Sequence, residues 1–255
     1  MSIELKDSVL VFVDILGFKG LLESEEHSQN LFSVIKNIKK QNTSTSDIQY
    51  TQRSDGISST TIMKGMPAIT SFSDCIVSSI PIEDIKEPFD IGNAVNDLLQ
   101  FIQWLADSLM FGGYILRGGM TRGDLYHEDG VIFGKPLIEA YELESIKAKT
   151  PRILISDELA KQYNESKSSN CNFLSKDDID DEYYLDYLKF SFQRSENRER
   201  YKKTTAEIIE KRKKDISEKV NSGDLSQLEE DIKILGKWVH FENYVAKALS
   251  VYGEK

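Results

Sequence analysis

The chain has 255 residues and a formal net charge of −10 at pH 7, enough length for one large domain or for a catalytic domain with a helical appendage. The acidic balance argues against a protein held electrostatically on nucleic acid or on an anionic membrane face, while leaving room for local nucleotide binding. Cys75 and Cys171 follow no metal or redox spacing, and His27, His127 and His240 are scattered, so neither a disulfide framework nor a histidine zinc site is implied, and a reducing, cytoplasmic setting is expected.

Val9 to Phe18 reads VLVFVDILGF, in which nine of ten residues are apolar or Gly. Such a run suits a strand buried on both faces, and it is too short and too interrupted to be a signal peptide or a membrane span. Asp14 is its exception. An unpaired buried carboxylate costs several kcal/mol, so Asp14 needs a partner or a wet edge. Leu31, Val34, Ile35 and Ile38 then recur at helical spacing. The Ser/Thr-rich stretch from Gln41 to Thr61 reads as a loop with one short strand near Ile48 to Thr51. Thr60–Lys64 and Ala68–Ile80 read as antiparallel strands joined by a tight reversal at KGMP.

From Phe89 to Leu109 an apolar stripe repeats at three and four, predicting a long helix packed on the sheet. Tyr114–Met120 is a strand, DLYHEDG a turn, and Val131–Phe133 a strand leading through Gly134 and Pro136 into a helix over about Leu137–Lys147. Arg152–Ile155 is a short strand, with Ser156 as N-cap of the next helix. This order predicts an α+β fold: an antiparallel sheet of ferredoxin-like or palm type with helices on one face. DEYYLDYLKF is a further strand. Beyond it the composition turns highly charged, and two antiparallel helices separated by NSGD are expected, the second over Leu225–Tyr252. The chain thus divides into a catalytic domain, 1–192, and a helical extension, 193–255, packed on that domain or on a dimer partner.

Asp74 repeats the anomaly of Asp14, lying in the apolar β run SFSDCIV. Two such aspartates on adjacent strands are satisfied together by a cation, and magnesium or manganese takes oxygen ligands while keeping positions open for phosphate. Gly17 and Phe18, at a strand end before a helix, offer backbone N–H groups to phosphate oxygens. Arg117 and Arg122, in the glycine-rich stretch Leu116 to Ser145, supply permanent positive charge, although Arg117 can instead pair with Asp124 or Glu144.

These elements resemble the class III nucleotide cyclases. FVDILGF matches the family's first metal-aspartate strand, and Ser73-Asp74 stands for the hairpin that supplies the second. Arg117, Gly119, Met120 and Gly123 match the next element; Gly134, Ala140, Leu143 and Glu144 match the Gly-to-helix element, and ILIS at Ile153–Ser156 matches the strand after it. The resemblance implies that Asp14, Asp74 and the Ile15 carbonyl hold two Mn2+ or Mg2+ ions per site, that the ribose 3′ oxygen attacks the α phosphorus, and that Arg117 or Arg122 stabilises the developing charge. It also implies a homodimer with sites at the interface.

The purine-reading positions of that family fall at Thr70 and Val131, and its helix Asn and Arg fall at Ile138 and Glu142. Leu116–Gly119 and Ala140–Glu144 are similar to elements of the bacterial Pycsar antiphage pyrimidine cyclases, which implies UTP or CTP as substrate, cUMP or cCMP as product, and a separate cyclic-nucleotide-binding effector. Tyr141 contacts the base or fills a helix face. The competing expectations are an inactive nucleotide-binding sensor of the same fold, a purine cyclase, and a palm-type enzyme that joins nucleotides.

Overall fold

The computed structural model describes residues 3–18, 29, 32–33, 36, 48–54, 57–63, 67–82, 90–110, 112–166 and 173–253, with the side chains of 48–63 left out. The strands are β1 (Lys6–Leu16), β2 (Ile48–Ser54), β3 (Ile57–Met63), β4 (Ala68–Phe72), β5 (Cys75–Pro81), β6 (Ile115–Glu128), β7 (Val131–Gly134), β8 (Ile153–Ile155), β9 (Leu174–Lys176) and β10 (Tyr183–Leu185). The helices, numbered over the described elements, are α1 (Ile91–Met110), α2 (Lys135–Glu142), α3 (Asp157–Glu165), α4 (Leu188–Ser191), α5 (Ser195–Ser222) and α6 (Leu228–Tyr252). An α+β architecture results, as the alternation of apolar runs predicts. The helix expected from Leu31, Val34, Ile35 and Ile38 lies outside the described residues.

The main sheet runs β4-β5-β1-β6-β8-β10-β9, with β7 paired to the far end of β6. All its pairings are antiparallel except β6 with β8. β1 lies inside the sheet, between β5 and β6, and this explains its apolar run. Val9, Val11, Val13 and Ile15 join the larger core with the α1 residues Val95, Leu98, Leu99 and Ile102, whereas Leu10 and Phe12 face the other way, onto Val77, Leu125 and Ala140. Helices therefore cover both faces, not one: α1 and α3 the first, α2 the second. The approach of α2 is close enough that a Cβ on Gly119 would run into the Ala140 carbonyl, so only glycine fits there.

Several boundaries differ from the sequence reading. β3 pairs with β2 in a separate two-stranded sheet, so KGMP does not join a hairpin of β3 and β4. Ala68–Ile80 is itself the hairpin, β4 and β5, turning at Ser73-Asp74. The stretch DLYHEDG continues β6 to Glu128, and only Asp129-Gly130 turns. The helix expected over 137–147 begins earlier, at Lys135, and ends in a π turn, Leu143–Lys147. In DEYYLDYLKF only Tyr183–Leu185 is strand, and Leu188–Ser191 is helical. Ser156 does cap α3, accepting from the Leu159 N–H at 3.4 Å.

The helical pair docks on the larger core through Tyr201 and Ile209 of α5 and Trp238, Phe241, Val245 and Ala248 of α6. Two carboxylates add polar fasteners. Asp107 of α1 accepts from the Ser191 and Tyr201 hydroxyls at 2.6 and 2.8 Å and from the Gln103 amide at 3.1 Å. Buried Asp186 accepts from the Tyr244 and Tyr252 hydroxyls at 2.7 and 2.8 Å. Truncating Asp107 leaves buried donors unpaired, each at about 1–3 kcal/mol. Asp107→Ala is expected to lower stability by about 3 kcal/mol in urea unfolding, while Asp107→Asn, which still accepts one bond, recovers part of that loss.

Candidate metal and nucleotide site

Both anomalous aspartates come to the same place. Asp14 is a half-buried position between buried Val13 and Ile15 near the end of β1, directly opposite Cys75 on β5 and Arg117 on β6. Asp74 occupies the turn between β4 and β5, where Ser73 takes a left-handed φ of 53°. The Ile15 N–H donates to the Asp74 carbonyl at 2.9 Å, which fastens this turn to the end of β1. One carboxylate oxygen each of Asp14 and Asp74, with the Cys75 Sγ, lie within 4.8 Å of one another. Next to them Gly17 has φ 95°, a conformation side chains disfavour, and nothing would touch a Cβ there, so backbone geometry is what requires glycine.

Burial, with Glu144 and Asp74 adding to it and Arg117 opposing it, pushes the Asp14 carboxyl up to about 6. The Arg117 guanidinium donates from Nε to Glu144 Oε1 at 2.5 Å and from Nη2 to Asp14 Oδ2 at 3.4 Å. Glu144 is buried, at 3% exposure, so Arg117 is its counter-ion first and that of Asp14 second. Of the two partners open to Arg117 in the sequence, Asp124 and Glu144, it takes Glu144. Burial and the neighbouring carboxylates push the Cys75 thiol up to about 12, and its Sγ donates to Asp74 Oδ1 at 3.8 Å. A neutral thiol is a soft, weak ligand, so the hard donors brought together here are the two carboxylates. That donor set fits magnesium or manganese.

The other sequence candidates are dispersed. Arg122 is five residues from Arg117 on one strand, hence on the opposite face. It pairs with Asp7, Nη2 to Oδ2 at 2.5 Å, and donates to Gln162 on α3 at 2.9 Å, so this chain does not bring it to the aspartates. Phe18 packs against the larger core. Thr70 is half-buried and bonded to His127. Val131 is 56% exposed at the start of β7, and Tyr141, on α2, is 52% exposed with its ring 5.7 Å edge-on from Phe12. Ile138 and Glu142 of α2 are exposed. Sequence reading gave Cys75 and His127 no role at the site; the β1–β5 register, which pairs Cys75 with Asp14, puts the two on one face.

No family model matches the chain, and no curated protein matches it significantly. Among solved structures it is similar to an adenylate/guanylate cyclase/hydrolase from Silicibacter pomeroyi, at 19% identity over 71% of this chain and 95% of that one, with a TM-score of 0.40. It is also similar to the catalytic core of a rhodopsin-guanylyl cyclase with converted specificity in complex with ATPαS, at 16% identity over 72% of this chain and 98% of that one, with a TM-score of 0.42. Among the described residues no helix is long and apolar enough to cross a membrane.

Two outcomes follow from the electrostatics. Because the folded protein holds Asp14 above its unfolded value, this group favours the fold fully below about pH 4 and withdraws that support as pH rises through about 6. Without metal, Asp14→Asn should therefore melt higher than the parent at pH 8 and alike at pH 4. Stabilisation of the parent by Mn2+ should grow from about pH 5 to about pH 7, as the ion displaces the proton. Second, Arg117→Ala strands the buried Glu144 and should cost about 3 kcal/mol in urea unfolding, most of it regained in Arg117→Ala/Glu144→Gln.

Proposed function

We propose that the protein is a metal-dependent nucleotide cyclase that converts a pyrimidine nucleoside triphosphate, UTP or CTP, to its 3′,5′-cyclic monophosphate and pyrophosphate. The observation that supports this reading most is the convergence of Asp14 and Asp74, sixty residues apart in sequence, within reach of one ion at a glycine-bounded strand end. Asp14, Asp74 and the Ile15 carbonyl would hold the divalent ions, which when bound lower the pKa of the ribose 3′-OH and neutralise phosphate charge. Gly17 leaves the strand end free of side-chain bulk, so phosphate oxygens can approach the backbone. Arg117 fixes the Asp14 carboxylate and adds a positive charge beside the reacting phosphate, with Glu144 holding the guanidinium in place.

Thr70 and Val131, which lack the charged groups of purine readers, suit a smaller base. The exposed apolar side chains of Phe72, Val131, Phe133, Ile138 and Tyr141 lie on β4, β7 and α2, elements around the face of Asp14, and they suit a homodimer joined through that face. The likeness of Leu116–Gly119 and Ala140–Glu144 to the antiphage pyrimidine cyclases supports a defence role in which the cyclic product acts on a separate effector.

A second reading, a nucleotide-binding sensor without turnover, is favoured by one observation. Arg117 is committed to two carboxylates, and the exposed α2 positions Ile138 and Glu142 offer no cation in its place.

Incubation of the purified protein with each of the four ribonucleoside triphosphates and Mn2+ separates the readings. The cyclase reading expects a cyclic pyrimidine product, abolished at least a hundredfold by Asp14→Ala or Asp74→Ala. Product from ATP or GTP alone would replace the pyrimidine assignment, and triphosphate-dependent stabilisation without any product would establish the sensor.

A further inference from the structure

His127 lies six residues beyond Thr121, which aligns through Leu10 of β1 with Ser79 of β5. A flat β6 would carry it about 20 Å along the strand from that row. Instead its Nδ1 is 2.7 Å from Ser79 Oγ and its Nε2 3.0 Å from Thr70 Oγ1. Ser79 shares a face with Cys75 and Asp14 by strand alternation, and Thr70, paired with Val77, shares it too. The β6–β7 arm therefore curls back over the face of the aspartates, and the imidazole pins it between two hydroxyls.

The protons in this chain can be counted. Ser79 is 1% exposed, and among the described residues its hydroxyl meets no partner but the imidazole. A buried hydroxyl that fails to donate forfeits a hydrogen bond, so Ser79 donates to Nδ1. Burial pushes the His127 imidazole down to about 4, so the ring is neutral at pH 7 and holds one proton. With Nδ1 accepting, that proton is on Nε2, which donates to Thr70 Oγ1. The Thr70 hydroxyl, half-buried and with no other partner among the described residues, is left with its own proton to give outward.

We infer that the relay Ser79 to His127 to Thr70 presents a hydrogen-bond donor on the nucleotide face, and that this donor reads the 4-carbonyl of uracil, so that UTP is preferred over CTP. The inference rests on the cyclase reading above. Thr70 is two residues along β4 from Phe72, the partner of Cys75, which puts it about 7 Å from the row of the aspartates. A nucleotide extended along this face from the aspartates thus reaches Thr70 with its base. Uracil and cytosine differ at position 4, where one offers an acceptor and the other an amine donor. The Thr70 proton meets the first directly, whereas accepting from the second with the remaining lone pair turns that proton away from the base to where no acceptor waits among the described residues.

Nitrogen-15 NMR of the imidazoles, with His127 assigned by its loss in His127→Gln, should show the Nε2–H form; an Nδ1–H form would overturn the relay. In turnover, kcat/KM should favour UTP over CTP about tenfold or more, the worth of one hydrogen bond gained or lost. Thr70→Val should bring that ratio close to one, Thr70→Ser should keep it, and Ser79→Ala should narrow it by freeing the tautomer. A parent that prefers CTP, or an unchanged ratio in Thr70→Val, would end the inference while leaving the cyclase reading intact. If no triphosphate is cyclised, the cyclase reading fails by itself, and the relay is judged by thermal shifts with UTP and CTP in Ca2+. A UTP advantage lost in Thr70→Val supports it, and equal shifts refute it.

Discussion

An imbalance of charge at the end of β1 governs much of this molecule. Asp14 and Glu144 share one guanidinium, that of Arg117, with Glu144 taking its shortest bond, and Asp74 adds its charge beside Asp14. With all three ionised the cluster has two more negative charges than positive, in a setting half withdrawn from water. Burial together with this repulsion raises the Asp14 pKa to about 6, so that below that pH a proton takes the place a divalent ion can occupy. The strong antiparallel frame of β5, β1 and β6 holds the carboxylates in place against their repulsion. A stable sheet thus supports a locally unfavourable site, a common arrangement where chemistry is done.

Much of the frame was legible because it depends on periodicity. The apolar run of β1, broken only at Asp14, reflects a strand inside the sheet with both faces covered, and the stripe of α1 reflects one face on the core. The positions of Asp14 and Asp74 were legible for the same reason, since each violated a pattern that everything around it obeyed. What failed was pairing. Gly65 and Pro67 looked like a hairpin, yet β3 finds its partner in β2, a polar strand with little apolar alternation. The true turn lies at Ser73-Asp74, where serine rather than glycine takes the left-handed conformation. Arg122 was grouped with Arg117 by charge, although five intervening steps along a strand put them on opposite faces. The partners of His127 depend on the curl of β6, which no local residue pattern announces.

The two sheet faces divide the labour. One holds the large core and receives α1, α3 and the helical pair, so stability is concentrated there. The other is thinly covered by α2 and the curled β6–β7 arm, around which Tyr141, Val131 and Phe133 remain exposed. Catalytic candidates cluster on this second face, where side chains are accessible and a second copy or a ligand finds room. Gly119 is the hinge point of that arrangement, because only the absence of a side chain lets α2 approach the strand that presents Arg117.

The helical pair has one consequence of its own. The buried positions of α5 stop at Ile209 and those of α6 begin at Trp238. From Ile209 to Ser222 the helix runs on for about 20 Å beyond its buried positions, beside its companion, with contacts such as Lys219 with Asp231. Matched turns at the very tip of this pair, beyond Lys219 and Asp231, lengthen or shorten it away from Ile234 and Leu235, the α6 residues that pack on the core. Its length can therefore change independently of the chemistry beneath it.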